Sequence, residues 1–162
     1  MDVKSREEII KFAQKLNSTN LSPLRSGNIS LKAQNNNEEG FLITPSGKKY
    51  DSLKADDIVF VSLKGNYDEK GLQPSSEWRF HKDIYLKKTD AKAVVHAHSP
   101  HATAVSAHNK DIPAFHYMIA LAGGDNITVS YTHLRAHETD SYLVCRLVLE
   151  KKWGGGGGGG GG

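Results

Sequence analysis

The sequence has almost no cysteine, no long apolar run and no marked excess of either charge. Its single cysteine, Cys145, excludes an intramolecular disulfide framework. No apolar run approaches the ~20 residues of a membrane-spanning helix, and residues 1–5 lack the apolar core of a signal peptide. These absences lead us to expect a cytoplasmic protein.

The charge is nearly balanced, with 21 Lys and Arg against 18 Asp and Glu in 162 residues. The basic residues are scattered, as at Lys48-Lys49 and Lys87-Lys88, and form no stripe. Such a distribution does not form the basic patch or stripe that is typical of nucleic-acid-binding proteins. We expect neither a nucleic-acid nor a membrane partner, and the length is that of one domain.

The character of the chain changes near residue 128. Residues 154–162 are all glycine, a tract that cannot bury a core and that we expect to be disordered. Residues 129–139 resemble the translation of a sequencing-library adapter, and residues 143–147 resemble its distal end. We therefore expect a domain at 1–128 and an artefactual or disordered tail at 129–162, whose histidines and cysteine are not counted as metal ligands. The alternative is a genuine amphipathic helix followed by a glycine linker.

Hydrophobic periodicity predicts alternating helices and strands in the remaining chain. A capping box at Ser5 opens a helix whose apolar residues recur at i, i+3, i+4 and i+7; these residues are Ile9, Phe12, Ala13 and Leu16. The later predicted elements are strands at 29–31, 41–44, 58–61, 93–98 and 112–115, and helices from Ser75 or Ser76 to Asp90 and at 100–107. This order predicts an α/β fold with a mainly antiparallel sheet and helices on its faces.

The most informative pattern is a pair of histidines, His96 and His98, in a short apolar strand. Side chains alternate along a strand, so the two imidazoles face the same way and can hold one transition-metal ion. Glu77 lies upstream, at the predicted start of a helix. A His-x-His pair alone is a weak signal, and an acid in a first helical turn is favoured by the helix dipole. Together they predict a metal site with a carboxylate beside it.

Five motifs in a fixed order carry a family resemblance. They are SGNIS (26–30), ITPSG (43–47), PSSEWRFH (74–81), VVHAH (94–98) and IPAFHYMIA (112–120). From about residue 7 to residue 127 the chain resembles the class II aldolase/adducin family, and within it most closely the L-fuculose-phosphate aldolases. The resemblance implies a three-layer α/β/α fold with a mainly antiparallel central sheet, incomplete at the C-terminus.

The resemblance also implies a reaction. A zinc-dependent aldolase of this kind cleaves a ketose 1-phosphate, such as L-fuculose 1-phosphate, to dihydroxyacetone phosphate and an aldehyde, and the metal stabilises the enediolate. His96 and His98 match zinc ligands, and Glu77 matches a metal contact that moves protons on the enediol carbon. Tyr117 matches an acid/base group on the aldehyde side, with a core tyrosine as the alternative.

The phosphate end of the substrate has matching residues as well. Glycine turns expose backbone N–H groups, and a helix N-terminus favours an anion. The residues that match family phosphate contacts are Gly27, Asn28, Ser46, Gly47, Ser75 and Ser76. We expect them to form a phosphate cradle.

The sequence departs from the family pattern in two places. The resemblance implies a third zinc histidine and further C-terminal strands, for which this sequence has no counterpart, and Arg25 stands where many relatives have a small or hydroxyl residue. We expect the 162-residue chain to be an inactive fragment of a protein that, by the resemblance, is a homotetramer. The alternatives left open are a pentose-phosphate 4-epimerase or a thio-sugar-phosphate dehydratase of the same family, and a non-catalytic adducin-like binding module.

Overall fold

The computed structural model describes residues 3–23, 26–108, 110–117 and 127. Within them a four-stranded sheet carries helices on both faces, which confirms the predicted three-layer α/β/α architecture. The elements are α1 (Val3–Ser18), β1 (Asn28–Asn35), β2 (Glu38–Ile43), β3 (Val59–Ser62), α2 (Trp78–Lys87), β4 (Ala93–His96) and α3 (Pro100–Ala107). In this part of the chain no helix has the length and apolar character needed to cross a bilayer.

The strand order is β3-β2-β1-β4, and each of the three pairings is antiparallel, as predicted. A tight turn at Asn36 and Asn37 joins β1 to β2, and both residues have the positive φ that a primed hairpin turn requires. After α2 the chain returns along β4 to pair with β1, which sets Asn28 opposite His96. This register places the end of the histidine strand beside the start of β1.

One face of the sheet packs against α1. Ile9, Ala13 and Leu16 of the helix are buried against a cluster that includes Ile29 and Leu42. The guanidinium of Arg6 donates to the backbone oxygens of Ala55 and Ile58, at 2.8 and 2.6 Å, and so ties the helix to the segment before β3.

Two details of the predicted first helix are wrong. The helix already includes Val3, so Ser5 lies inside it and does not cap it. Phe12 is 44% exposed and does not enter the core; instead the Lys15 ammonium lies 5.6 Å from the centroid of its ring. The apolar stripe is therefore narrower than the periodicity indicated.

The opposite face packs against α2. Phe41 and Ile43 of β2 and Val61 of β3 point to this side, because side chains alternate along each strand, and they meet Trp78 and Tyr85 of the helix. The helix begins at Trp78 rather than at Ser75 or Ser76. Ser75 belongs instead to a preceding turn, where its backbone oxygen accepts from the Trp78 N–H at 3.0 Å.

The described residues after β4 contain one helix and one isolated bridge. The helix predicted at 100–107 is present as α3, whereas the strand predicted at 112–115 is reduced to one bridge between Ile112 and Ile127. The predicted boundary at residue 128, the tail at 129–162 and Arg25 lie outside the described residues.

Gly40 tests the packing of the central strand. A Cβ built on this residue would lie 2.3 Å from the Val61 backbone oxygen and 2.5 Å from the Phe60 ring. We expect Gly40→Ala to lower the free energy of unfolding by about 1–3 kcal/mol, since the added methyl must displace backbone. Gly71→Ala is the control, because the atoms nearest to its Cβ, the oxygens of Asp68, would lie 3.6 Å away. Equal denaturation midpoints for the two variants would contradict this account.

Candidate metal centre and its surroundings

Glu77, His96 and His98 form a compact cluster of metal-ligating groups. The Nε2 atoms of His96 and His98 lie 2.8 Å apart, and the Glu77 Oε2 atom lies 3.3 Å from His96 Nε2. One ligand atom from each residue falls within 4.8 Å of the other two. Two imidazole nitrogens and one carboxylate oxygen are a donor set that suits Zn²⁺ and related divalent ions. The chemistry of the three side chains therefore fits one transition-metal ion.

The two histidines reach this cluster from different backbone environments. His96 is the last residue of β4 and is buried, and its ring packs edge-on against Phe80, with the centroids 5.1 Å apart. His98 lies beyond the end of the strand, where its backbone N–H donates to Ser22 Oγ at 3.1 Å. This bond to a fully buried serine anchors the backbone of His98 beside the end of β4.

Gly27 permits the close approach of the neighbouring loop. A Cβ at this position would lie 2.4 Å from Ser22 Oγ and 2.6 Å from the His96 backbone oxygen. The Gly27 backbone oxygen also accepts a hydrogen bond from the Tyr50 hydroxyl. A side chain here would force the loop away from β4, and so glycine is required by space rather than by φ.

Glu77 stands at the N-terminus of α2. Its backbone N–H donates to Ser75 Oγ at 3.4 Å, and its carboxylate Oε2 accepts from Asn28 Nδ2 at 2.6 Å. Asn28, which the sequence analysis assigned to phosphate binding, thus also contacts the carboxylate. One end of the predicted phosphate loop is joined to the metal cluster by this bond.

Burial lowers the pKa of His98 below its ordinary value. At neutral pH its imidazole is therefore uncharged and keeps a lone pair for a metal ion, since a protonated ring cannot coordinate. The fold thus favours the ligand form of this histidine.

The residues predicted to bind phosphate lie on three segments that hydrogen bonds hold side by side. The Thr44 N–H donates to the Ile29 oxygen at 3.1 Å, and the Ser75 N–H donates to the Thr44 oxygen at 3.0 Å. Ser46 in turn donates its N–H to the Gln73 oxygen at 2.9 Å. Gly47, with φ of +73°, completes a turn that an L side chain rarely adopts. Ser46, Gly47 and Ser76 are exposed, whereas Asn28 and Ser75 are buried.

Tyr117 is not brought into the cluster in the described part of the chain. Its side chain is 79% exposed, and its ring packs against that of His116 with 4.4 Å between centroids. The assignment of Tyr117 as an acid/base group therefore continues to depend on the resemblance alone.

Sequence reasoning missed three polar residues behind the cluster. His81 and Tyr85 lie in the helix predicted from Ser75 or Ser76 to Asp90, and Ser30 lies in the strand predicted at 29–31, but none of them was predicted to take part in the site. All three are buried, and the Ser30 hydroxyl is hydrogen-bonded to both His81 and Tyr85. The available signal was the spacing of Glu77, His81 and Tyr85, because residues four apart lie on one face of a helix.

Comparison with known proteins identifies the family of this chain. The profile of the Class II Aldolase and Adducin N-terminal domain matches residues 7–159. L-fuculose phosphate aldolase of Escherichia coli (strain K12) is 45% identical over 124 residues, which are 76% of this chain and 55% of that protein. A 5-methylthioribulose-1-phosphate/5-deoxyribulose-1-phosphate aldolase of Rhodospirillum rubrum is 41% identical over 124 residues, covering 76% and 54%. The chain thus spans about half the length of these curated relatives.

A solved structure of an L-fuculose 1-phosphate aldolase superimposes with a TM-score of 0.72 and 35% identity. The superposition covers 81% of this chain and 60% of that one. The family profile, the identity to curated relatives and the superposition together show that the chain belongs to the class II aldolase/adducin family.

Proposed function

We propose that this protein is a zinc-dependent aldolase that cleaves a ketose 1-phosphate, of the L-fuculose 1-phosphate type, to dihydroxyacetone phosphate and an aldehyde. The observation that carries the proposal is the convergence of Glu77, His96 and His98 next to a three-segment loop cluster. The names of the relatives support the substrate class, since they act on ketose 1-phosphates.

His96, His98 and Glu77 would hold the metal ion. When bound, a divalent ion supplies a Lewis acid that stabilises the negative charge of an enediolate. The histidines contribute neutral nitrogens, and Glu77 contributes the one carboxylate of the cluster. In this proposal the Glu77 carboxylate would also move the proton on the enediol carbon, because it would be a ligand of the ion and is held in place by the Asn28 amide.

The phosphate group would lie against the glycine and serine turns. Gly27 and Asn28, Ser46 and Gly47, and Ser75 and Ser76 come from the three joined segments. Backbone N–H groups of such turns and the nearby N-terminus of α2 favour an anion. On the aldehyde side, Tyr117 would protonate or deprotonate the substrate oxygen, in a homotetramer whose active sites lie at subunit interfaces.

A second candidate substrate has support from one comparison. The Rhodospirillum rubrum relative, at 41% identity, is named for 5-methylthioribulose 1-phosphate and 5-deoxyribulose 1-phosphate. Both are ketose 1-phosphates, so the same metal and phosphate contacts would serve them. Substrate assays separate this candidate from the fuculose type and from a pentose-phosphate 4-epimerase.

The first prediction concerns turnover. The 162-residue chain should be compared with a chimera in which residues 129–162 are replaced by the corresponding C-terminal region of the Escherichia coli relative. We expect the chimera to release dihydroxyacetone phosphate from a ketose 1-phosphate, and Glu77→Gln in it to lower kcat by about 10²–10⁴-fold. Glu69→Gln, at an exposed acid, is the control. Epimerisation of ribulose 5-phosphate without cleavage would replace the aldolase proposal.

The second prediction concerns the metal. Equilibrium dialysis should find one Zn²⁺ per chain, and His98→Ala should weaken binding by more than the ~10–100-fold typical of losing a supporting contact. His101→Ala is the control, since His101 is exposed and outside the cluster. Affinity should fall as the pH falls, because protons compete for the imidazoles. Burial lowers the pKa of His98, so its protonation should set in at a lower pH than in a free imidazole. Equal affinity in both variants would contradict the ligand assignment.

The third prediction concerns residues 129–162, which we propose contribute neither a metal ligand nor a part of the core. Their composition, with a run of nine glycines, supports this proposal. The 162-residue chain and a chain ending at residue 128 should then unfold with the same midpoint and bind Zn²⁺ with the same stoichiometry. A lower midpoint or lost zinc in the shorter chain would show that the segment is part of the folded protein.

A further inference from the structure

A row of buried polar side chains runs from the core to the candidate metal centre. The Tyr85 hydroxyl lies 2.8 Å from Ser30 Oγ, which lies 2.7 Å from His81 Nδ1. On the other side of the imidazole, His81 Nε2 lies 2.5 Å from Asn28 Oδ1. The Asn28 amide nitrogen completes the row with its bond of 2.6 Å to Glu77 Oε2.

The donor and the acceptor of each hydrogen bond in this row can be assigned by starting from the Glu77 carboxylate. An ionised carboxylate only accepts, so the Asn28 atom that faces Glu77 is the NH₂ group. The Asn28 oxygen therefore faces His81 and needs a donor, which fixes the hydrogen on His81 Nε2. The other ring nitrogen, Nδ1, is then an acceptor for the Ser30 hydroxyl. Burial raises the pKa of Tyr85, so this phenol stays protonated and donates to Ser30.

The row is enclosed by apolar packing. Ser30 and His81 are fully buried, and Tyr85 and Asn28 are 1% and 2% exposed. The His81 ring lies 4.4 Å from the Phe80 ring and 6.5 Å from the Phe41 ring, between centroids. Polar side chains are tolerated in such surroundings when their hydrogen bonds are made, and a made network holds each member in one orientation.

We propose that His81 is a positioning residue: its Nε2–H fixes the orientation of the Asn28 amide, and the amide holds the Glu77 carboxylate in the metal centre. With the amide reversed, the Asn28 oxygen would face the carboxylate and repel it. His81 is neither one of the three ligating residues nor one of the residues predicted to bind phosphate. It acts through Asn28, which is one of the predicted phosphate contacts. The kinetic part of this inference rests on the proposed function, whereas the orientation of Asn28 does not.

A measurement on the unaltered 162-residue chain tests the inference first. Nitrogen-15 NMR of the histidine rings should show His81 as the neutral tautomer with hydrogen on Nε2. The Asn28 side-chain NH₂ protons should exchange slowly with solvent. A hydrogen on Nδ1 alone would overturn the inference, because Nε2 could not then donate to Asn28.

Two variants separate positioning from a merely structural role. His81→Gln places an amide NH₂ where Nε2 lies, whereas His81→Asn retains a polar atom near Nδ1 but is too short to reach Asn28. We expect His81→Asn to speed Asn28 NH₂ exchange and to weaken Co²⁺ binding, followed by its visible absorption, by about 10–100-fold. We expect His81→Gln to keep both the Asn28 NH₂ exchange rate and the Co²⁺ affinity within about threefold of the unaltered protein. In the C-terminal chimera described above, kcat should follow the same order.

The outcomes distinguish this inference from the proposed function. Equal Co²⁺ affinity and equal Asn28 exchange in the two variants, at matched unfolding midpoints, would overturn the role of His81. If either variant fails to fold, the ring tautomer of the unaltered protein decides the matter. If the unaltered protein binds no Co²⁺, the proposed metal centre fails, while the tautomer and exchange measurements still decide whether His81 orients Asn28.

Discussion

The pairing of β1 with β4 sets Asn28 opposite His96, and the contacts of the candidate site depend on that register. Opposite residues of an antiparallel pair project to the same face, so Asn28 and His96 both point toward α2, where Glu77 is located. A slip of one residue between these strands would put Asn28 and His96 on opposite faces of the sheet and so separate them. The apolar residues that fix the register are therefore as necessary to the site as the ligating groups. Ile29 and Leu31 face α1 and pin β1 in place.

Helix α2 contributes to the site through its spacing. Glu77, His81 and Tyr85 recur every four residues, so they lie on one helix face and meet the polar positions of β1, Asn28 and Ser30. Trp78 and Tyr85 of the same helix also belong to the apolar cluster that contains Phe41 and Val61. The interface between helix and sheet is thus apolar beneath β2 and β3 and polar beneath β1. This division directs the hydrogen bonds toward the end of β4 where the histidines converge.

Much of this architecture could be predicted from periodicity, and the failures have physical reasons. The alternation in β1 correctly separates Ile29 and Leu31 from Asn28 and Ser30, but polar positions in a strand are typical of a solvent-exposed face. Here α2 covers that face, and burial of Asn28 and Ser30 becomes acceptable because side chains distant in sequence pair with them. The partners lie about 50 residues away, beyond the reach of any local pattern. The predictions for Ser5 and Phe12 were wrong for a related reason. The ends of a helix and the width of its buried face depend on what packs against the helix.

Asn28 joins the two halves of the candidate site. Its backbone continues from Gly27 in the predicted phosphate loop, while its side chain bonds to Glu77 in the metal cluster and to His81 in the core. A change at Asn28 would remove a loop contact, a carboxylate contact and a buried hydrogen bond together. Its effect on turnover therefore cannot be assigned to phosphate binding alone. His81 offers a second probe, because it lies outside the predicted phosphate residues and reaches the Glu77 carboxylate through the side chain of Asn28. The same hydrogen bonds connect the orientation of the Asn28 amide to the His81 ring in the core, and so link the packing of α2 to the candidate metal centre.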